Sequence, residues 1–414
     1  MMKRRHTGLQ CNRLHWVTLL VLCMLTWISL QITLNISHYT TINHESNITI
    51  LPYNTEYISY MEDRILVSQH THAPKVILRW TKFYGESWGV PDGSDIFKQL
   101  GCRQSNCLLT DDRSEVMLVD AVLVHMRDVS SLNDLPPNRT PHQRWIFFLL
   151  ESPYHIPQLN LSHFNGVFNW TSTYSSESDI PSPYGHIMNL SATSIGDPLH
   201  TSSIIHHSEP SYSTKSRMAA WFVTNCKASN SREKYIQALR QHIAVDIYGP
   251  CGKHKCYDEE QCFKMLQQRY RFYLSFENSN CHEYISEKFW QNALQNNVIP
   301  VVFGASKLEY SRVAPPGSFI HVDDFPTPQH LARYLKVLSK DVKKYRKYFD
   351  WKKTVGAAVD VRFRPRLSKY WCDLCEALHD KRKPVSIHKY LDKWWTVDRQ
   401  CNQLSEYDRS YGNY

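Results

Sequence analysis

The chain has 414 residues, 48 Lys and Arg against 39 Asp and Glu, twelve cysteines and 13% aromatic residues. Four of the bases (Lys3, Arg4, Arg5, Arg13) belong to the N-terminal region, which has no acid, so 44 bases face 39 acids in the rest, a mild +5. With no basic stripe, that balance excludes a nucleic-acid binder and suits a small anionic ligand. The length is more than one ordinary core accommodates.

The first element is an uncharged apolar run, 16–34, about long enough to cross a hydrocarbon core as a helix. The bases before it place the short N-terminus in the cytosol and everything after residue 36 in a lumen. A cleaved signal peptide is the alternative; the length of the run and the lack of a small-x-small site after it argue against that. The expected organisation is a tail at 1–15, a single-pass type II anchor at 16–36 and a polar stem at 37–72. Whether two stems pair the chain into a homodimer stays open.

Glycosylation sequons begin at Asn35, Asn47, Asn138, Asn160, Asn169 and Asn189, all beyond the apolar run. Cys11 and Cys23 lie in or before it, leaving an even ten in an oxidising compartment. Cys102/Cys107 and Cys372/Cys375 are close enough to pair locally; the other six cannot be assigned. A zinc site is disfavoured because Cys372-x-x-Cys375 has no second pair at finger spacing.

Next come short apolar strands at 76–80, 121–125 and 145–150, punctuated by turns such as Val90-Pro-Asp-Gly-Ser94. A proline-bearing polar stretch at 175–213 reads as a loop or a crossing between halves. Strands and helices then alternate: strand 218–224, helix 232–242, strands 244–248 and 272–276, helix 287–295, strand 299–303 and an amphipathic helix 329–345. Such alternation predicts a mostly parallel, doubly wound α/β sheet. The expected domains are 73–205 on the acceptor side, 206–365 for the donor nucleotide, and a C-terminal segment 366–414 carrying the CxxC.

The most informative block is Phe272-Tyr-Leu-Ser-Phe-Glu-Asn-Ser-Asn280, with Glu283-Tyr-Ile-Ser-Glu-Lys288 and Val298-Ile-Pro-Val-Val-Phe-Gly304 behind it. A strand running into a charged turn and then a helix is how α/β sheets hold a charged ligand at strand ends. The block resembles the signature of the α1,3-fucosyltransferases. So do Glu151-Ser-Pro153, Phe168-Asn-Trp-Thr-Ser-Thr-Tyr174 with Ser178-Asp-Ile-Pro-Ser-Pro-Tyr-Gly185, Ala314–Phe325 and Trp371-Cys-Asp-Leu-Cys375. Glu283, Ser286 and Cys281 depart from the usual pattern.

The resemblance implies GT-B architecture, two Rossmann-like domains facing across a cleft, and a Golgi membrane enzyme with a lumenal body. It implies inverting transfer of L-fucose from GDP-β-L-fucose to the 3-hydroxyl of a GlcNAc. The innermost N-glycan GlcNAc is the leading acceptor, on the likeness of the cysteine and Trp394-Trp395 blocks to core-fucosylating enzymes. Outer-arm LacNAc or LacdiNAc is the alternative. A lumenal glycan-binding protein on a retired transferase fold is a third reading, opposed by the retention of Glu151, Arg232, Glu287 and Lys288. No tightly bound cofactor is expected, and the chain contains no Asp-x-Asp triplet, which points to a donor site without a divalent ion.

An inverting displacement needs a base for the acceptor hydroxyl and positive groups for the departing diphosphate. Glu151 ends an apolar strand and is the expected base; a merely solvated carboxylate is the plain alternative. Arg232 and Lys288, each at a helix start, are the expected phosphate partners, with surface charge as the alternative for both. A lysine in a first helical turn opposes the macrodipole unless an anion sits beside it. Asn278, Tyr284 and Glu287 match family positions that contact fucose, ribose or phosphate. Tyr248, with Gly249, is expected at the guanine, Glu277 within the turn as a structural acid, and Asn169 as a structural, unglycosylated residue. Trp88 and Trp170 are expected acceptor contacts.

Overall fold

The computed structural model describes residues 73–156, 159–189, 212–353, 357–361, 369–383 and 386–401. The expected anchor and stem, and most of the polar stretch, lie outside these residues, as do Asn35 and Asn47. Among the described residues no helix is long and apolar enough to cross a membrane.

The first half holds five strands: β1 (Lys75–Arg79), β2 (Cys107–Thr110), β3 (Ala121–His125), β4 (Arg144–Leu149) and β5 (Trp170–Thr173). They form one parallel sheet in the order β2-β1-β3-β4-β5. All of β3 (AVLVH) is buried, as expected of a parallel strand covered on both faces. β6 (Gly185–Asn189) pairs antiparallel with β12 (Ala357–Val361) in a separate ribbon.

The second half holds β7 (Arg217–Phe222), β8 (Val245–Tyr248), β9 (Tyr270–Phe276), β10 (Ile299–Phe303) and β11 (Ile320–His321). They pair in parallel as β8-β7-β9-β10-β11. Counted from its own first strand, each sheet therefore runs 2-1-3-4-5. In such sheets ligands bind beyond the strands' carboxyl ends, where the order reverses. Those switch points lie between β1 and β3 and between β7 and β9. The architecture is α/β and GT-B-like.

Local departures from the sequence expectation have identifiable causes. The helix expected over 329–345 is two helices, Pro328–Leu338 and Val342–Lys347, because the Asp341 carboxylate caps the second by accepting from the Lys344 N–H at 2.9 Å. The helix after the charged turn is a π-helix, Lys288–Leu294, with Gln295 N–H bonded to Trp290 O. β5 looks too polar for a core strand, yet Thr171 and Thr173 are fully buried because Asp179 and Ser178 meet their hydroxyls.

Local pairing of Cys102 with Cys107 and of Cys372 with Cys375 is overturned. The disulfides are Cys102–Cys372 and Cys107–Cys375, with Cys226–Cys251, Cys256–Cys262 and Cys281–Cys401. Cys372 and Cys375 are three apart on the helix Tyr370–His379 and so share one face. That face meets Cys102, just past the helix Asp95–Gln99, and Cys107, which opens β2. The C-terminal segment thus folds back onto the first sheet.

The core packing joins the halves. Cys281, Tyr284, Ile285, Phe289 and Trp290, from the turn and π-helix after β9, belong to the same buried cluster as β3, β4 and Trp371. Burying Phe289 alone contributes about 2 kcal/mol, so the charged turn is anchored in the first half's core.

Candidate active site

A cavity of about 490 Å³ opens at the carboxyl ends of β7, β8 and β9. Phe222, Val223, Thr224, Asn225, Tyr248, Gly249 and the Cys256–Cys262 disulfide line one side, and Asn278, Glu287, Lys288 and Asn292 another. Tyr84, Glu151 and Tyr184 close it from the first half. Glu151, Arg232, Tyr248, Asn278, Tyr284, Glu287 and Lys288, picked out from different parts of the sequence, all line this one cavity.

Glu151 follows β4, and Pro153 turns the chain into a short 3-10 helix, Pro153–His155, just beyond it. Its two carboxylate oxygens accept from different halves. Tyr284 Oη–H donates to Oε2 at 3.1 Å and Tyr84 Oη–H to Oε1 at 3.3 Å. Burial, then the Glu151 charge, pushes the Tyr284 phenol well above its ordinary range, and Tyr84, although 39% exposed, is pushed the same way, so both stay protonated donors. Behind this turn, Tyr184 Oη–H donates to Leu150 O at 2.7 Å, and the buried Ser279 hydroxyl donates to Ser152 Oγ at 2.7 Å. The carboxylate therefore sits on a turn fixed from both sides.

Arg232 opens the helix Arg232–Arg240 behind Ser231, whose backbone is left-handed at φ 54°. The guanidinium is buried and spans the β7/β9 switch point. Nη1 donates to Phe276 O at 2.8 Å, Nη2 to Asn225 O at 2.7 Å, and Nε to Glu233 Oε1 at 3.2 Å. Much of its donor capacity thus holds the two strand ends together, which the sequence reading as a phosphate partner did not foresee.

Lys288 Nζ lies 3.2 Å from Glu277 Oε2, 3.0 Å from Glu287 Oε1 and 2.9 Å from Ser286 Oγ. Burial works against its charge, but Glu277 and Glu287 outweigh it and hold the ammonium above its ordinary range. The anion that a first-turn lysine calls for is therefore supplied within the protein. Glu277 is fully buried; its carboxylate also accepts from Ser286 N–H at 2.8 Å and Ser286 Oγ–H at 2.7 Å. Burial pushes it above the usual carboxylate range, with Lys288 pulling the other way. A side chain at Gly304 would put its Cβ 2.8 Å from the Glu277 side chain, so that position stays bare.

At the far end, Tyr248 packs edge-on against Phe222, and its hydroxyl lies 2.8 Å from Tyr270 Oη. Gly249 follows at φ 106°, where an added Cβ would lie 2.3 Å from Val223 O. Only glycine lets the β7 and β8 ends approach this closely. The cavity thus has an aromatic end and a charged end.

The structure corrects the acceptor tryptophans. Trp88 is 3% exposed, packed among Phe83, Phe148 and Trp371, and Trp170 is 2% exposed on β5; neither lines the cavity. Asn169 is buried, with Nδ2 donating to Ser386 O at 2.9 Å and Oδ1 accepting from Trp145 N–H at 2.9 Å. Its amide nitrogen is committed to the fold. Sequence reasoning missed Tyr84, Asn225, Tyr184 and the lining disulfide. Tyr184 sits in the Pro-Tyr-Gly block that had been singled out, so a signal for it existed; the left-handed backbone of Tyr84 (φ 53°) has none.

Two doubly wound parallel sheets around a cavity with an aromatic end and a charged end make an α/β, GT-B-like fold with a candidate ligand site. The family models described as Fucosyltransferase, N-terminal, and Glycosyltransferase family 10 (fucosyltransferase) C-term match residues 72–185 and 212–394. Glycoprotein 3-alpha-L-fucosyltransferase A of Drosophila melanogaster is 36% identical, across 77% of this chain and 60% of that protein's length. The human 4-galactosyl-N-acetylglucosaminide 3-alpha-L-fucosyltransferase FUT5 is 38% identical, across 78% of this chain and 81% of that protein. A crystal structure of an alpha1,3-fucosyltransferase with GDP-fucose aligns at TM-score 0.47 and 16% identity, covering 75% of this chain and 91% of that one. The chain belongs to glycosyltransferase family 10 and is an α1,3-fucosyltransferase.

Proposed function

We propose that this enzyme transfers L-fucose from GDP-β-L-fucose, with inversion, to the 3-hydroxyl of a GlcNAc in glycoprotein glycans. The supporting observation is that Glu151, carried by one sheet, and Arg232, Glu287 and Lys288, carried by the other half, line a single cavity. In this reading guanine lies at the Phe222, Tyr248 and Gly249 end and the diphosphate at Lys288 and Arg232. Glu151 takes the proton of the attacking hydroxyl as the new bond forms, and the cations hold the charge left on the diphosphate. Lys288 must turn from Glu287 toward the phosphates, which frees Glu287 to bind fucose hydroxyls and meet the positive charge growing at the anomeric carbon. The phosphate charge is assigned to these cations rather than to a divalent ion, in keeping with the lack of an Asp-x-Asp triplet in the chain.

The innermost N-glycan GlcNAc is the leading acceptor, in keeping with the Drosophila relative's glycoprotein name. The 38% identity to the human 4-galactosyl-N-acetylglucosaminide enzyme favours a second reading, the outer-arm GlcNAc. The apolar run at 16–34 supports a Golgi membrane location with the body in the lumen. The test incubates the lumenal fragment with GDP-fucose and either a minimal N-glycan core or N-acetyllactosamine, each with EDTA and with manganese, and maps the product by mass spectrometry. The expected result is α1,3-fucose on the core's innermost GlcNAc, undiminished by EDTA. Exclusive labelling of lactosamine selects the second reading, and no transfer to either sinks the proposal.

A further inference from the structure

The loop after β1 carries a conformation that its sequence does not favour. Tyr84 has φ 53°, a left-handed backbone that aromatic residues rarely hold unless their surroundings enforce it. The enforcing group is Asp128, just past β3. Its carboxylate accepts the Tyr84 N–H at 2.9 Å and the Gly85 N–H at 2.6 Å. His125, fully buried at the end of β3, places Nδ1 2.5 Å from Asp128 Oδ2 and its ring 4.6 Å from the Tyr84 ring. Burial opposes the Asp128 charge, yet His125 and the two N–H donors outweigh it and hold the carboxyl below its usual range. Phe83 packs edge-on against the Tyr84 ring at 4.9 Å and against the His125 ring at 4.8 Å. The left-handed turn aims the phenol across the cavity wall at Glu151.

We infer that Tyr84 is a positioning residue for Glu151, held in its strained turn by Asp128 and His125 for that purpose. The inference rests on the reading of Glu151 as the base. Glu151 shares its cavity with the cations Arg232 and Lys288. A carboxylate drawn into an ion pair with either would face the donor instead of the acceptor hydroxyl. Tyr284 alone secures only Oε2; Tyr84 secures Oε1 from the opposite half and stops the carboxylate from swinging toward the donor side. Each oxygen is then oriented before the acceptor arrives, and pre-organisation of this kind lowers the barrier without strengthening substrate binding.

The test compares wild type, Tyr84→Phe, Glu151→Gln and the double variant in single-turnover fucose transfer, with GDP affinity measured alongside. Tyr84→Phe keeps the ring against Phe83 and His125 and removes only the hydroxyl. The expected result is transfer slowed about tenfold, the scale of one hydrogen bond to a charged group. Donor KM and GDP affinity stay within about twofold, and the double variant is no slower than Glu151→Gln alone. Asp128→Asn, which loosens the turn without touching the cavity, is expected to give the same split between kcat and KM. Wild-type transfer by Tyr84→Phe, a raised donor KM, or a further loss in the Glu151→Gln background would overturn the inference while leaving the base assignment standing. Wild-type transfer by Glu151→Gln would remove both.

Discussion

The two sheets share one strand order and border the same cavity, but they fill their switch points differently. Between β7 and β9 a single buried guanidinium, Arg232, ties Asn225 O to Phe276 O, and the space beyond the strand ends remains open. Around β1 and β3 the corresponding region is packed with Phe83, Tyr84, Trp88, His125 and Phe148, whose rings lie 4.6–6.3 Å apart. The first sheet therefore contributes a carboxylate at a strand end, and the second contributes a room with cations in it. Topology supplies two equivalent places for a ligand, and side-chain volume decides which of them is usable.

The largest effect is expected at Glu151, the acid that the first half places among the described residues lining the cavity. Glu151→Gln is expected to slow transfer by ~10²–10⁴, the scale of a general base, with GDP affinity nearly unchanged by calorimetry. A comparable loss of GDP affinity would move Glu151 to the donor side. Next in size is Lys288→Met, which strands the fully buried Glu277 without its cation. Breaking such a pair costs roughly 3–5 kcal/mol, so the melting temperature and GDP affinity should both fall. Adding Glu277→Gln should restore the melting temperature but not GDP affinity; recovery of both would mean that Lys288 only props up the turn.

Smaller again is Gly249→Ala, where the Cβ would collide with Val223 O at a φ that alanine tolerates poorly. A destabilisation of about 2 kcal/mol and weaker GDP binding are expected, while the isolated first sheet's interactions are untouched. The smallest effect concerns the amino ends of β7 and β9, where buried Lys215 donates to Tyr270 O at 2.8 Å and Gln267 O at 2.7 Å. Burial, with Lys352 and Arg271 nearby, pushes its pKa down to about 7. Unfolded, it would keep its proton to about 10, so between these values the unfolded chain binds more protons and stability rises with pH. Lys352, lowered to about 8 by burial, adds the same sign. Thermal melts should climb by a few degrees from pH 7 to 9, less steeply in Lys215→Met. A curve unchanged by that substitution would show that Lys215 stays charged.

What could be read from the sequence follows from how local each determinant is. The run AVLVH at β3 and the charged turn after β9 carry their burial and chemistry in neighbouring residues, so strand, turn and candidate acids were legible together. The break at Asp341 has a local signal that the single-helix expectation over 329–345 passes over, an Asp two residues after Ser339 at a helix start. The cross-linking of Cys107 to Cys375 was not, since it depends on a helix 268 residues away docking against β2. Nor was the π-helix, whose wide turns are set by packing Phe289 and Trp290 into the first half's core. Tyr84 owes its conformation to a carboxylate 44 residues along the chain, and no local signal encodes that. Arg232 was located by its helix start, but its contacts with Asn225 O and Phe276 O depend on the strand order.

The most direct measurement is a crystal structure of the lumenal body with GDP. The nucleotide is expected in the cavity between the two sheets, guanine against the Tyr248 and Gly249 wall, the diphosphate within hydrogen-bonding reach of Lys288, and the Glu151 carboxylate facing the vacant sugar position. GDP bound elsewhere, or Glu151 turned away from the diphosphate's open side, would contradict that expectation.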